Sequence, residues 1–208
     1  GSRLLPRPIS ICEIDRENGR LRIVYRVVGY GTKEFSGCKA GDTLEIMGPL
    51  GNGYTLKKDK AILVAGGIGV PPMLELAKEL DCEKTIVLGY RDELFLNKEF
   101  EQYGKVVIAT EDGSCGTKGN VLDAIRAESV DGQVIYSCGP TPMLRALKQY
   151  AADKGIEAWI SLEEKMACGI GACLACVCKT TSKDAHSNVN NARVCVDGPV
   201  FEAKEVEL

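Results

Sequence analysis

Residues 166–178 read MACGIGACLACVC, four cysteines within thirteen residues. No other stretch restricts the chain as strongly, because thiols this dense imply disulfides, a metal centre or a reactive site. Three of them keep the spacing Cys168-x4-Cys173-x2-Cys176, the pattern of a plant-type [2Fe–2S] loop, which then needs a distant fourth cysteine. Beyond Cys176 only Cys178 and Cys195 remain, and Cys195, in RVCVDGPVF, is separated from Cys176 by eighteen residues. Gly169 and Gly171 permit positive φ, so the loop can wrap tightly and turn its N–H groups toward the sulfurs. If VCKT is extended, Cys178 shares a face with Cys176 but stands about 7 Å further along. It reads as a buried packing residue. The expected ligands are therefore Cys168, Cys173, Cys176 and Cys195. A structural zinc or inert buried thiols are the other readings of these residues. Zinc knuckles usually pair two short C-x2–4-C elements, and this chain has one.

The remaining composition narrows the setting. The other cysteines are scattered in strand-like or helix-flanking contexts, and no secretory layout precedes them, which favours a reducing, cytoplasmic compartment over a disulfide scaffold. A net charge of −3 with no basic block makes nucleic acid and anionic membrane surfaces poor partners. No apolar run approaches the ~20 residues that cross a bilayer. Hydrophobic residues, at 45% of the chain, are ample for a packed core.

Pattern divides the 208 residues into three expected parts. Residues 1–55 read as antiparallel strands: PISICEID and LRIVYRVV flank an Asn18-Gly19 hairpin signal, and DTLEIM follows a glycine-rich turn. Residues 56–164 alternate short apolar runs with helical periodicity. The runs are AILVA, KTIVLGY, KVVIAT, QVIYS and AWISL. Between them Met73, Leu76, Ala77 and Leu80 share one helical face, as do Met143, Leu147, Tyr150 and Ala151. This alternation predicts a doubly wound parallel α/β sheet. Residues 165–208 return to short strands around the cysteines, with a polar excursion over 182–191. The fold class expected is multi-domain, α/β and β.

Two glycine-rich turns stand where such a sheet binds ligands. AILVA runs into Gly66-Gly67-Ile68-Gly69, and Pro71-Pro72 open the next helix, so backbone amides can approach a nucleotide. The turn is not G-x-G-x-x-G. Cys138-Gly139-Pro140 end a later strand on the same rim, and ATEDGS ends a third.

These turns in this order resemble the ferredoxin–NADP reductase superfamily. Within it GPLGNGY, AGGIGVPPM, SCGPTPM and MACGIGAC…RVCVDGPVF are closely similar to the electron-transfer subunits of NAD-dependent dihydroorotate dehydrogenases, over essentially the whole chain. The related subunits of electron-bifurcating transhydrogenases carry aspartate at the first cluster position, from which Cys168 departs. The resemblance implies an N-terminally short flavin-binding antiparallel β-barrel, a nucleotide domain and a small C-terminal iron–sulfur domain. It implies that Arg7-Pro8-Ile9-Ser10 bind FAD, Arg7 at the pyrophosphate and Ser10 near the isoalloxazine. Val24-Tyr25-Arg26 and Gly31-Thr32 would be further FAD segments, the latter offering amides to phosphate. Gly66, Gly67 and Gly69 would receive NAD, with Cys138, Gly139 and Pro140 near the nicotinamide. Taken singly, Arg7 is a surface charge, Tyr25 a core aromatic and Cys138 a small buried residue. Their joint order gives them weight. Family members carry further strands before the R-P-x-S motif, so the flavin barrel is expected to lack them here.

No nucleophile–base pair is present and the single histidine, His186, falls in the polar excursion, where a solvated side chain is expected. No catalytic side chain is therefore assigned. On the resemblance, the chemistry would belong to cofactors: a [2Fe–2S] cluster, FAD, and NAD(H) as substrate. The expected function is an electron relay between NAD and an FMN-containing dihydroorotate dehydrogenase catalytic subunit in pyrimidine biosynthesis, within a heterotetramer and without nucleic acid or membrane. The iron–sulfur part would carry much of that interface, with an apolar rim. A reductase subunit of hydrogenase or ferredoxin oxidoreductase type, or a non-catalytic zinc module, are the competing expectations.

Overall fold

A computed structural model describes residues 5–91, 93–184 and 188–208. Asn18-Gly19 lies in the turn of a hairpin, β1 (Ile11–Asp15) with β2 (Arg20–Ile23), paired antiparallel. Gly19 takes φ +61°, which the turn requires and a glycine adopts without strain. The Asp15 carboxylate accepts both the backbone N–H and Nδ2 of Asn18 and closes the turn.

A short helix, α1 (Tyr30–Phe35), follows. Residues 24–28 and 42–47, read above as strand, carry no ladder. β-propensity does not supply a partner, and within residues 5–60 the one ladder is β1–β2. Leu44, Ile46 and Met47 accordingly stay exposed.

The middle of the chain folds as its periodicity predicts. In order come β3 (Ala61–Gly66), α2 (Val70–Glu79), β4 (Lys84–Tyr90), α3 (Asn97–Phe100), β5 (Lys105–Thr110), β6 (Thr117–Lys118), α4 (Val121–Ala127), β7 (Val134–Cys138), α5 (Thr141–Lys154) and β8 (Glu157–Ser161). Pro71 and Pro72 open α2, where a missing N–H costs nothing. Asn120 caps α4 by accepting the Leu122 and Asp123 N–H groups, and Asp123 returns the bond to the Asn120 N–H. Gly155, at φ +64°, ends α5.

The C-terminal part contributes β9 (Val177–Lys179), β10 (Asn191–Arg193) and β11 (Val200–Glu202). β9 and β10 form an antiparallel hairpin across the polar excursion. His186 lies outside the described residues. β11 leaves this hairpin and pairs antiparallel with β8, giving a seven-stranded sheet in the order β11-β8-β7-β3-β4-β5-β6, parallel apart from that edge.

Alternate residues of β3 supply two cores. Ile62 and Val64 pack with α4, α5, Val194, Phe201 and Val206; Ala61, Leu63 and Ala65 pack with α2, Phe100, Tyr136 and Cys12. Helices thus cover both faces, and the cysteine-rich part and the N-terminal hairpin sit on opposite ones. The chain leaves β3 toward β4 and later returns to its other side with β7. The β3–β7 boundary is therefore the topological switch point, the position at which open α/β sheets generally bind ligands. No helix among the described residues is long and apolar enough to cross a membrane.

Candidate functional site

The cysteine loop wraps as its glycines allow. Gly169 has φ +71°, Gly171 φ +79° and Leu174 φ +58°. The wrapping aims backbone N–H groups inward: Cys173 N–H donates to Cys168 Sγ at 3.4 Å, and Cys195 N–H donates to Cys176 Sγ at 3.4 Å. The N–H groups of Ile170 and Cys173 stabilise the Cys168 thiolate, lowering its pKa to about 6. Burial pushes Cys195 up, and contact with Cys176 adds to this, while the Gly171 N–H opposes it. Cys176 and Cys195 are buried, Cys168 is half-buried and Cys173 exposed.

The thiols thus come as two pairs, Cys168 with Cys173 and Cys176 with Cys195. Among the described residues no three Cys, His, Asp or Glu side chains are grouped as one metal ion requires. A [2Fe–2S] cluster asks for two thiolates on each of two irons, with N–H groups aimed at sulfur. These residues fit that group. Cys178 lies on β9, buried in the core, and burial raises its pKa.

The two glycine-rich turns meet at the switch point. A Cβ on Gly69 would overlap the Cys138 carbonyl and stand 2.6 Å from the Gly139 nitrogen. One on Gly139 would stand 3.1 Å from the backbone N and O of Gly66, and one on Gly66 3.2 Å from Pro140 Cδ. Gly67, at φ +52°, is open, with only Arg26 Nη2 within 4 Å of its would-be Cβ. The two turns are thereby packed backbone against backbone, with no room for a side chain at Gly69. Cys138 is half-buried beside them, and burial raises its pKa to about 11 despite an opposing bond from Ser161.

In the N-terminal part, Arg7 lies against Gly31. A Cβ at Gly31 would be 2.5 Å from Arg7 Nε, so glycine is what lets the guanidinium rest there. Arg7 Nη1 also donates to the Leu5 carbonyl. Thr32 is buried, its Oγ1 accepting the Val28 and Gly29 N–H groups at 3.0 and 3.1 Å. Tyr25 meets Phe35 edge-on at 6.1 Å. Arg7, Gly31 and Thr32 are thus brought together, and Arg26 reaches the glycine-rich turn at Gly67. Pro8 and Ser10 are exposed and Ile9 is half-buried, while Val24 is half-buried against the core that holds Ala65 and Val70.

Three features escape a residue-by-residue reading. Met143 packs against Gly66 and Gly139 from the first turn of α5. Asn52 bonds the turn after Cys195, and Tyr54 donates to the Ser137 carbonyl at 2.7 Å. All three lie in the motifs GPLGNGY and SCGPTPM, the signal that could have singled them out.

Residues 163–207 match the iron-sulfur cluster binding domain of dihydroorotate dehydrogenase B. The chain is 47% identical over 218 residues to the electron transfer subunit of dihydroorotate dehydrogenase B (NAD(+)) from Fusobacterium nucleatum, covering 99% of this chain and 81% of that one. It is 45% identical over 214 residues to the same subunit from Bacillus caldolyticus, with the same coverage. Among solved structures it superposes with TM-score 0.85 on the NADH-dependent reduced ferredoxin–NADP oxidoreductase studied for flavin-based electron bifurcation, at 33% identity, over 96% of this chain and 73% of that one. The chain therefore belongs to the family of dihydroorotate dehydrogenase B (NAD(+)) electron transfer subunits.

Proposed function

We propose that this chain relays electrons between NAD and an FMN-containing dihydroorotate dehydrogenase catalytic subunit, serving pyrimidine biosynthesis. The observation that carries this reading is the joint geometry of the chain: two cysteine pairs with N–H groups aimed at sulfur, and two glycine-rich turns interlocked at the switch point of one sheet. A flavin exchanges a hydride with nicotinamide and a [2Fe–2S] cluster carries single electrons, so the two together interconvert two-electron and one-electron transfer.

The protein's own groups position and tune. Cys168, Cys173, Cys176 and Cys195 hold the cluster, and the N–H groups around Cys168 offset its negative charge. Arg7 beside Gly31 and Thr32 supplies a cation for the FAD pyrophosphate. Ser10, with Pro8 and Ile9, and the Val24-Tyr25-Arg26 segment line the rest of the flavin site. Gly66, Gly67 and Gly69 receive NAD, and Cys138, Gly139 and Pro140 flank the nicotinamide. The neutral Cys138 thiol presents a small polarizable group there without adding charge. Residues 1–55, 56–164 and 165–208 divide these tasks as flavin, nucleotide and cluster domains.

Docking of the catalytic subunit is supported by an apolar rim at the cysteine loop. Ile170, Leu174, Met47 and Leu50 are exposed, and Val196 is partly so. Gly169 lies within reach of Leu50 and Met47, and Gly171 of Val196, which makes the rim continuous. Ten cysteines free of disulfides support a reducing, cytoplasmic setting.

Anaerobic purification with iron, sulfide and flavin quantification tests the reading, together with co-purification of the catalytic subunit. Visible bands that bleach on NADH addition, and an FMN partner oxidising dihydroorotate, are expected. A colourless protein with stoichiometric zinc would refute it.

A further inference from the structure

Residues 52–54 are bonded to two sites at once. Asn52 donates its backbone N–H to the Gly198 carbonyl at 2.7 Å, and Nδ2 to the carbonyls of Val196 at 2.7 Å and Asp197 at 3.3 Å. Those carbonyls form the turn that follows Cys195. The turn is closed on itself by the N–H groups of Val196, Asp197 and Gly198, which converge on the Arg193 carbonyl, and by the Arg193–Asp197 ion pair. Gly51 seats the contact, since a Cβ there would stand 2.7 Å from the Gly198 oxygen and 2.8 Å from Pro199 Cδ. At the other end of the segment Tyr54 donates to the Ser137 carbonyl and stacks edge-on against Tyr136 at 5.5 Å. Ser137 precedes Cys138, whose carbonyl Gly69 touches.

We propose that Asn52 is a positioning residue that, with Tyr54 as the fixed anchor, holds the Cys195 turn at a set distance from the nucleotide rim and thereby sets the rate of electron passage between flavin and cluster. The inference rests on the relay reading above. Asn52 touches no thiol, so its action is through the turn. Its amide suits the place because both Nδ2 bonds end on carbonyl oxygens, which a carboxylate would repel. The contact also crosses from the flavin-side segment to the cluster part. Asn52 and Pro199 form a parallel bridge at this point.

The test uses purified holoprotein with Asn52→Ala, Asn52→Asp and, as a control in the distant hairpin turn, Asn18→Ala. Stopped-flow absorbance separates flavin reduction by NADH from cluster reduction, and hydrogen exchange reads peptide 194–199. Asn52→Ala is expected to keep its iron, sulfide and flavin and its rate of flavin reduction. Cluster reduction slows about tenfold and exchange over 194–199 quickens by a similar factor, on the scale of one or two lost hydrogen bonds. Asn52→Asp is expected to exceed it on both readings, and Asn18→Ala to match the parent. Tyr54→Phe removes one hydroxyl from the other end and slows cluster reduction in the same direction, by about threefold, which keeps the question decidable if Asn52→Ala loses iron. Cluster reduction and exchange both unchanged in Asn52→Ala overturn the proposal. If the parent itself binds no flavin, the relay reading falls. Exchange over 194–199 then decides the clamp alone: faster exchange in Asn52→Ala retains it, unchanged exchange removes it.

Discussion

Gly69 abuts the Cys138 carbonyl so closely that any side chain at 69 would occupy the space of the carbonyl group. One end of β3 and one end of β7 are thereby interlocked, backbone against backbone. Gly69 takes φ −77°, so its role is close approach and not a left-handed conformation.

Gly69→Ala should therefore push the two turns apart. Overpacking of this kind costs about 1–3 kcal/mol in stability, and NADH reduction of bound flavin should slow by tenfold or more, on the scale of a lost near-attack geometry. Gly67→Ala makes the contrast. Its site is open but its φ is +52°, so backbone strain of about 1 kcal/mol is expected without a collision. Thermal denaturation and stopped-flow flavin bleaching check the pair. Equal effects of the two substitutions would contradict the interlock.

The cysteine assignment predicts opposite outcomes for two buried thiols. Cys195→Ser should lose or destabilise the cluster, read as iron and sulfide per chain and by the electron spin resonance of the reduced protein. Cys178→Ala should keep full iron, because Cys178 packs in the core beside β10, with a loss of about 1 kcal/mol from the vacated volume. An iron-free Cys178→Ala with an iron-replete Cys195→Ser would reverse the ligand set.

Much of this was legible along the chain, and the reasons differ by element. β3, β4, β5, β7 and β8 are short apolar runs between helical faces, and burial on both sides of a parallel sheet leaves that signature locally. The Gly155 stop and the positive φ of Gly169 and Gly171 are likewise local demands. Residues 42–47 misled because alternation announces a strand but not its partner. The antiparallel addition of β11 to β8, with Phe201 opposite Ile160, rests on contacts forty residues apart and has no local mark. Asn52 is the sharpest case. An asparagine between glycines reads as a turn residue, while its function lies in bonds to carbonyls more than 140 positions away.

Burial of the Cys138 thiol gives the protein an alkaline sensitivity. Its pKa is raised from 9.0 to about 11, so the folded state keeps a proton that the unfolded state releases first. The corresponding stability is fully present below pH 9, falls as pH rises toward 11, and is gone above it. The loss should amount to about 1–3 kcal/mol. Cys138→Ala, which has no proton to lose there, should show a shallower decline over that window. Chemical denaturation at pH 8, 9.5 and 10.5 compares the two proteins, and parallel declines would count against a buried neutral thiol. Alkylation by iodoacetamide at pH 8 should also leave Cys138 unmodified while the exposed Cys38 reacts.

The Arg7–Gly31 contact offers a test of the proposed flavin site that leaves the cysteine loop untouched. Arg7 rests on a surface that only glycine leaves open, far from the cysteine loop in sequence and bonded to none of its residues. If Arg7 holds the FAD pyrophosphate as proposed, Arg7→Ala should lose a charge-assisted contact and lower affinity by about 1.5–3 kcal/mol, or roughly tenfold to more than a hundredfold. Gly31→Ala keeps the charge but displaces the guanidinium, and should weaken flavin binding in the same direction. Fluorescence titration with FAD measures both, and iron content should stay at the level of the parent. Arg7→Lys discriminates the cause. A lysine restores the positive charge without the planar fork, so partial recovery assigns the effect to charge and no recovery assigns it to bidentate geometry. Unaltered FAD affinity in both Arg7→Ala and Gly31→Ala would remove Arg7 from the flavin site and leave it as a surface cation.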